Sequence, residues 1–149
     1  RDSFDKFSRA VQIKPDFHDA FFNWGMALNH YALRFEGKEA DNLFKQSFEK
    51  FAAAVQLKPD FHEAFYNWAL AARDYYQKVS GGKVDSSMIA EVDDLLKAIE
   101  QDSRAPILCS NMARIIDIVA EVDPDVKKYA DMLRSTAEKL ENNEKHSAR

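Results

Sequence analysis

Two histidines stand beside acids: His18 precedes Asp19, and His62 precedes Glu63. An imidazole next to a carboxylate suggests a metal ligand. The spacing argues against it. The pairs are separated by 44 residues, the interval at which the surrounding sequence recurs. They would then sit on adjacent helical layers roughly 10 Å apart, too far to share an ion whose nitrogen ligands lie near 2 Å. Polar residues at two helix starts are the simpler account. His30 and His146 have no ligand-spaced companion. Cys109 lies among Ile107, Leu108 and Met112, where a thiol is expected to be buried and inert. Asp93-Asp94 and Glu121, Asp123 and Asp125 lack the spacing and central glycine of a calcium loop. No phosphate-binding glycine loop, nucleophile elbow or zinc motif is present. The sequence therefore offers no catalytic, cofactor-binding or metal-ligating set, and a non-enzymatic protein is expected.

What the sequence does offer is repetition. Ala10 to Leu28 reads AVQIKPDFHDAFFNWGMAL, and Ala54 to Ala72 reads AVQLKPDFHEAFYNWALAA. The step from Pro15 to Pro59 is 44 residues. Upstream, Arg1 to Phe7 (RDSFDKF) aligns with Lys45 to Phe51 (KQSFEKF). Self-similarity at a period of a few tens of residues marks a stacked repeat, in which each unit buries its apolar face on the next.

The bulk composition fits helices. The chain has 149 residues, 46% hydrophobic and 31% charged, with only four Gly and four Pro. That length is one domain with a real core. A net charge of −4 weighs against nucleic acid as a partner, since such proteins usually carry a basic excess. Eleven Phe are accounted for by a core and need no base-stacking role. The single Cys rules out an internal disulfide and fits an intracellular, reducing compartment. No apolar run is long enough to insert in a membrane. The chain opens inside a repeat without an initiating Met, and is expected to be an excised piece of a longer protein.

About seven helices are expected. Phe4, Phe7, Ala10 and Val11 mark one face of the first, which Lys14-Pro15-Asp16 stops; Asp16 can cap the next. The second starts near Phe17 and carries Ala20, Phe21, Trp24, Leu28 and Tyr31. After a turn at Glu36-Gly37-Lys38, Leu43, Phe44, Phe48, Phe51, Ala52 and Val55 build the third, ended by Lys58-Pro59-Asp60. The fourth repeats the second with Phe61, Ala64, Phe65, Trp68, Ala72, Tyr75 and Tyr76. Residues 1–80 thus hold the repeats, and 81–87 form a loop. Residues 88–141 hold a degenerate repeat and capping helices: one from Ile89 to Ile99, one opened by Ala105-Pro106 and ended by Asp123-Pro124-Asp125, and one from Val126 to Leu140. Residues 142–149 are expected to be a flexible tail.

These repeats resemble the tetratricopeptide repeat family, whose pattern runs W-x2-L-G-x2-Y, then A-x3-F, then P. The matching residues are Phe21, Trp24, Gly25 and Leu28, then Ser47, Phe51, Ala54 and Pro59. Ser3, Phe7, Ala10 and Pro15 match the preceding half-repeat; Phe65, Trp68, Ala69 and Ala72 match the following one. The resemblance covers about half the chain and implies an all-α, right-handed solenoid of antiparallel helix pairs. The chain departs from the family in period: 44 residues against about 34. The added residues fall between Leu28 and Ser47, where both helices are expected to be lengthened by one to two turns. That length is either neutral or an added binding edge.

In the family the first helix of each repeat lines a concave groove that takes a peptide or helix of a partner. The resemblance places Asp19, Phe22, Asn23, Met26, Asn29 and His30 there from one repeat, and Glu63, Tyr66, Asn67, Leu70, Arg73 and Asp74 from the next. Asparagines can donate to and accept from a peptide backbone; the aromatics give area with few rotors; Asp19 and Glu63 would favour a basic ligand. Equally, the asparagines belong to the ordinary repeat, and acids are favourable at a helix start. A chaperone C-terminal tail is not expected as partner: the basic clamp positions of that subgroup hold Asp19, Phe22, Glu63 and Tyr66, and only Asn23 is in keeping. Two functions follow, a scaffold or adaptor module that binds a partner protein, or an architectural segment that self-associates. The second rests on Phe4, Phe7 and Val11, a stripe with no covering layer that invites pairing.

Overall fold

A computed structural model describes residues 2–79, 81–82, 90, 92–94, 97 and 101–147. Every regular element among them is helical: α1 (Asp2–Ile13), α2 (His18–Ala32), α3 (Gly37–Leu57), α4 (His62–Lys78), α5 (Ala105–Val119) and α6 (Lys127–Ser147), with a 3-10 turn at Pro124–Val126. The 81–87 loop and the Ile89–Ile99 helix lie largely outside the described residues; Ala90, Val92–Asp94 and Lys97 are helical. No described helix is long and apolar enough to cross a membrane.

Each helix packs on its successor in the chain: α1 on α2, α2 on α3, α3 on α4, and α5 on α6. Two further contacts join helices across longer stretches of chain: α4 packs on α5, and α2 touches α4.

The α2–α3 pairing is the tightest. A Cβ added to Gly25 would lie 3.0 Å from the Phe51 ring, and Phe51 is wholly buried. The missing side chain at Gly25 leaves the ring room against the α2 backbone. Phe22 packs against Phe51 and Phe61, with centroids 6.2 and 5.0 Å away. At the other end of the pair, the extra length of the repeat is helical: α2 runs to Ala32, and α3 begins at Gly37 with φ of +59°. That backbone region is costly for any residue with a Cβ. Two tethers hold α4 to this end. The Tyr75 hydroxyl donates to Asp41 Oδ1 at 2.5 Å, and Lys78 Nζ donates to the Leu33 carbonyl at 3.1 Å.

The structure departs from expectation at four places. Asp16 caps nothing with its side chain. Phe17 holds the N-cap position of α2 without a side-chain bond, and the Asp16 carbonyl accepts from the His18 N–H at 3.0 Å. The proline turn closes on backbone bonds, so no cap is needed. Phe4, Phe7 and Val11 are half-buried and not bare, because α2 lies against α1 with Tyr31 edge-on to Phe4 at 5.7 Å. α6 continues through the stretch expected to be a tail, as far as Ser147; Glu141, Glu144 and Lys145 are strong helix formers. Finally, the two tryptophans differ: Trp68 is 1% exposed, whereas Trp24 is half-buried beneath Lys50 Nζ, 3.9 Å from its ring centroid.

The third repeat is better preserved than its composition suggests. Asn23-Trp24-Gly25, Asn67-Trp68-Ala69 and Asn111-Met112-Ala113 follow one another at 44-residue steps, each on a helix after a turn. Met112 and Ala113 are fully buried, as Trp68 and Ala69 are.

The difference between the tryptophans has a measurable consequence. Truncating a fully buried Trp costs about 3–5 kcal/mol, so Trp68→Ala should lose that much in urea unfolding. Trp24→Ala should lose less than about 2 kcal/mol, in proportion to its smaller buried area.

Candidate functional site

α4 and α5 run side by side in the same direction. The Asn111 side-chain amide donates to the Pro59 carbonyl at 3.1 Å, just before α4 begins. Ten residues on, Glu121 pairs with Arg73 at 3.8 Å, near the other end of α4. A second tie fixes the same corner: the Arg104 guanidinium reaches the Leu57 carbonyl at 3.3 Å while bound to Asp102 at 2.7 Å. These bonds span about fifty residues of chain and set how far apart the two helices stand.

Between them lies a cleft of about 420 Å³. Phe65, Ala69, Ile115 and Ile118 give it apolar walls; His62, Tyr66, Asn111 and Arg114 supply the polar atoms. Tyr66 is 59% exposed, and Arg114 is exposed without a hydrogen bond or ion pair to any described residue. An apolar cleft with a few polar groups at its edge is the ordinary form of a binding site. An unpaired guanidinium at that edge can take a carboxylate in a two-point fork.

Of the residues placed in a groove by the sequence, Tyr66 lines this cleft. Arg73 stands at its far end, held by Glu121. The rest are not gathered here. Phe22 is spent on packing against Phe51 and Phe61, and Met26 packs on the core. Asn67 donates to the Glu63 carbonyl of its own helix at 2.8 Å. Asn29 Oδ1 is buried without a hydrogen-bond partner among the described residues. Asp19, Asn23, His30 and Glu63 are exposed; Leu70 and Asp74 are half-buried.

Three polar residues of the cleft are not among those expected from the sequence: His62, Asn111 and Arg114. His62 was set aside because it had no metal partner, a test that says nothing about lining a cleft. Asn111 and Arg114 lie beyond the point where the repeat fades. The signal that reaches them is the 44-residue step: Asn23, Asn67 and Asn111, and likewise Met26, Leu70 and Arg114.

The remaining reactive groups are quiet. Cys109 is fully buried, and burial pushes its thiol up to about 11, because a thiolate in an apolar surrounding is poorly solvated. Among the described residues no three His, Cys, Asp or Glu side chains gather to hold a metal. Asp102 is held down at about 2 by hydrogen bonds from Arg104.

No family model, curated protein or solved structure matches this chain.

Two measurements check this site. Ellman's reagent at pH 8 should leave Cys109 unmodified in the native protein and titrate one thiol in denaturant. The carboxyl of Asp102 has a folded pKa below its ordinary value, so its contribution is present above about pH 4 and is lost as pH falls toward 2. The stability gap between wild type and Asp102→Asn should therefore hold from neutral pH to about pH 4.5 and close below it.

Proposed function

We propose that this chain is a non-enzymatic interaction module of the tetratricopeptide kind, a right-handed solenoid of helix pairs serving as scaffold or adaptor. It binds a segment of a partner protein in the cleft between α4 and α5. The observation that carries this reading is that cleft, apolar along its walls and edged by the exposed Tyr66 and the unpaired Arg114. The helix order, the short proline-ended turns and the contacts of α2 with α4 and of α4 with α5 support a stack in which α2, α4 and α5 share one face.

The cleft also bears on the ligand's charge. A basic ligand was expected from Asp19 and Glu63, and neither lines the cleft. The guanidinium that does line it favours a carboxylate. We therefore assign to the ligand one or two large apolar side chains next to an Asp, a Glu or a chain terminus. A metal or a small reactive substrate is not called for: the thiol nearby is buried and protonated, and the polar groups of the cleft are suited to holding rather than to bond-breaking.

The test uses a random twelve-residue phage-displayed peptide library, panned in parallel on the wild-type chain and on Arg114→Glu. Wild type should enrich peptides with an acid beside apolar residues; Arg114→Glu should enrich a base there and bind the wild-type peptides about tenfold more weakly. Ile118→Glu, which puts a charge in the apolar wall, should abolish both selections. Enrichment untouched by Ile118→Glu would remove the cleft from the reading. Enrichment lost with Ile118→Glu but indifferent to Arg114→Glu would keep the cleft and remove the carboxylate.

A further inference from the structure

The chain contains a filled counterpart of the α4–α5 cleft. One period earlier, where α2 touches α4, His18 and Phe22 stand in the places of His62 and Tyr66. Both are set against one ring. Phe22 lies 5.0 Å from Phe61 with the planes tilted by 48°, and His18 stands edge-on to Phe61 at 5.4 Å. Phe61 is 8% exposed. The turn before α4 thus supplies a phenyl ring to the helix of the preceding repeat.

The turn before α5 supplies none. The 44-residue step carries Phe61 to Ala105, whose side chain is a single buried carbon. Tyr66 and His62 are exposed, and neither side chain makes a ring contact, hydrogen bond or ion pair with a described residue. Both line the cleft, which keeps a volume of about 420 Å³. The two side chains that would clasp a ring are therefore present, the space is open, and the ring is missing.

The charged edge lies beside that space. Asn111 stands level with Pro59, and Glu121 with Arg73. In two helices that run the same way, His62 is then level with the turn of α5 that carries Arg114.

Resting on the cleft proposed above as the binding site, we infer that it selects an aromatic side chain, carried by the partner segment next to its carboxylate. The ring takes the place that Phe61 fills between α2 and α4, with Tyr66 tilted over it and His62 perpendicular to it. Arg114 holds the acid. Tyr66 and His62 are the specificity-determining residues. An aliphatic side chain of equal size fills the same volume and forgoes the tilted and edge-on ring contacts, which add to affinity beyond the area buried. Selection between the two rests on that difference.

The probe is N-acetyl-phenylalanine, which carries a ring and a carboxylate, titrated into the isotope-labelled full chain and followed by amide shifts in NMR spectra. N-acetyl-cyclohexylalanine is the control, with the same acid and nearly the same volume but no aromatic ring. The phenyl probe should shift Tyr66, Ala69 and Ile115 and bind about threefold or more tightly than the control. Tyr66→Leu should bring the two probes to equal affinity; Tyr66 is exposed enough that this variant keeps its fold, which circular dichroism checks. Ile118→Glu should abolish the binding of both. Equal affinities in the wild type, both lost with Ile118→Glu, would overturn the aromatic selection and leave the cleft as the binding site. A phenyl preference that survives Tyr66→Leu would overturn it too, since the ring would then lie elsewhere. No shifts in the cleft, or shifts that ignore Ile118→Glu, would overturn this inference together with the cleft on which it rests.

Discussion

The contact on which the structure most depends is the Phe51 ring set against the backbone of Gly25. A ring carries far more buried area than any other unit of this core, and it gains that area only if the opposing helix approaches closely. Closeness is favoured by a small residue on the facing turn. From that one constraint the spacing of α2 and α3 follows. The position of Phe22 over Phe61 then follows as well, and with it the contact of α2 with α4. The free energy of helix formation contributes little here, since helices of this length are marginal alone and take their stability from packed faces. The repeat is best understood as a rule about which turn is small and which is large, with the charged residues free to vary around it.

Much of the fold was legible because this rule leaves a trace in residue size. The proline turns, the four helices of the two good copies and the burial of Cys109 all follow from periodicity and from the geometry of proline. The third copy was harder to see for a physical reason. Met112 occupies the place of Trp68 and buries as completely, but a thioether chain fills an irregular space without resembling an indole. The Pro15 and Pro59 marks have no third member either; Ser103 stands there, and the turn is held by Arg104 and Asp102 instead. What survived was the small residue after the large one, Ala113 after Met112. Matching letters misses such a copy; matching volumes along the 44-residue step finds it.

The candidate site was less legible than the fold, and the three asparagines show why. Asn23, Asn67 and Asn111 are equivalent in sequence and differ in circumstance. Asn23 is exposed. Asn67 satisfies its amide on the Glu63 carbonyl within its own helix. Asn111 is 4% exposed and holds the Pro59 carbonyl of the preceding turn. A buried carbonyl left without that donor would cost about 1–3 kcal/mol, so one of the two N–H groups of Asn111 is committed to the fold, and only the other and the amide oxygen are left for the cleft. Alignment assigns the three one role; the packing of each assigns three.

The same reasoning explains where binding chemistry accumulates in such a chain. Each position along the helix is claimed first by packing, and a ligand can use only what packing leaves over. At the third step of the Met26, Leu70 and Arg114 series the apolar residue gives way to a guanidinium. Arg114 is exposed, has no partner among the described residues and borders an apolar cleft. A long cation can lay its methylene stem along such a surface while its head stays free, so the substitution is tolerated without costing the fold its core. At the opposite end, Phe4, Phe7, Phe21, Trp24 and Tyr31 of α1 and α2 are half-buried where Phe48, Phe51, Phe65, Trp68 and Tyr75 of α3 and α4 are buried. In the first case the repeat has been changed to leave a charge unspent; in the second it is intact and leaves area unspent. Both are capacity that packing leaves over, and the proposal of an interaction module rests on the first of them.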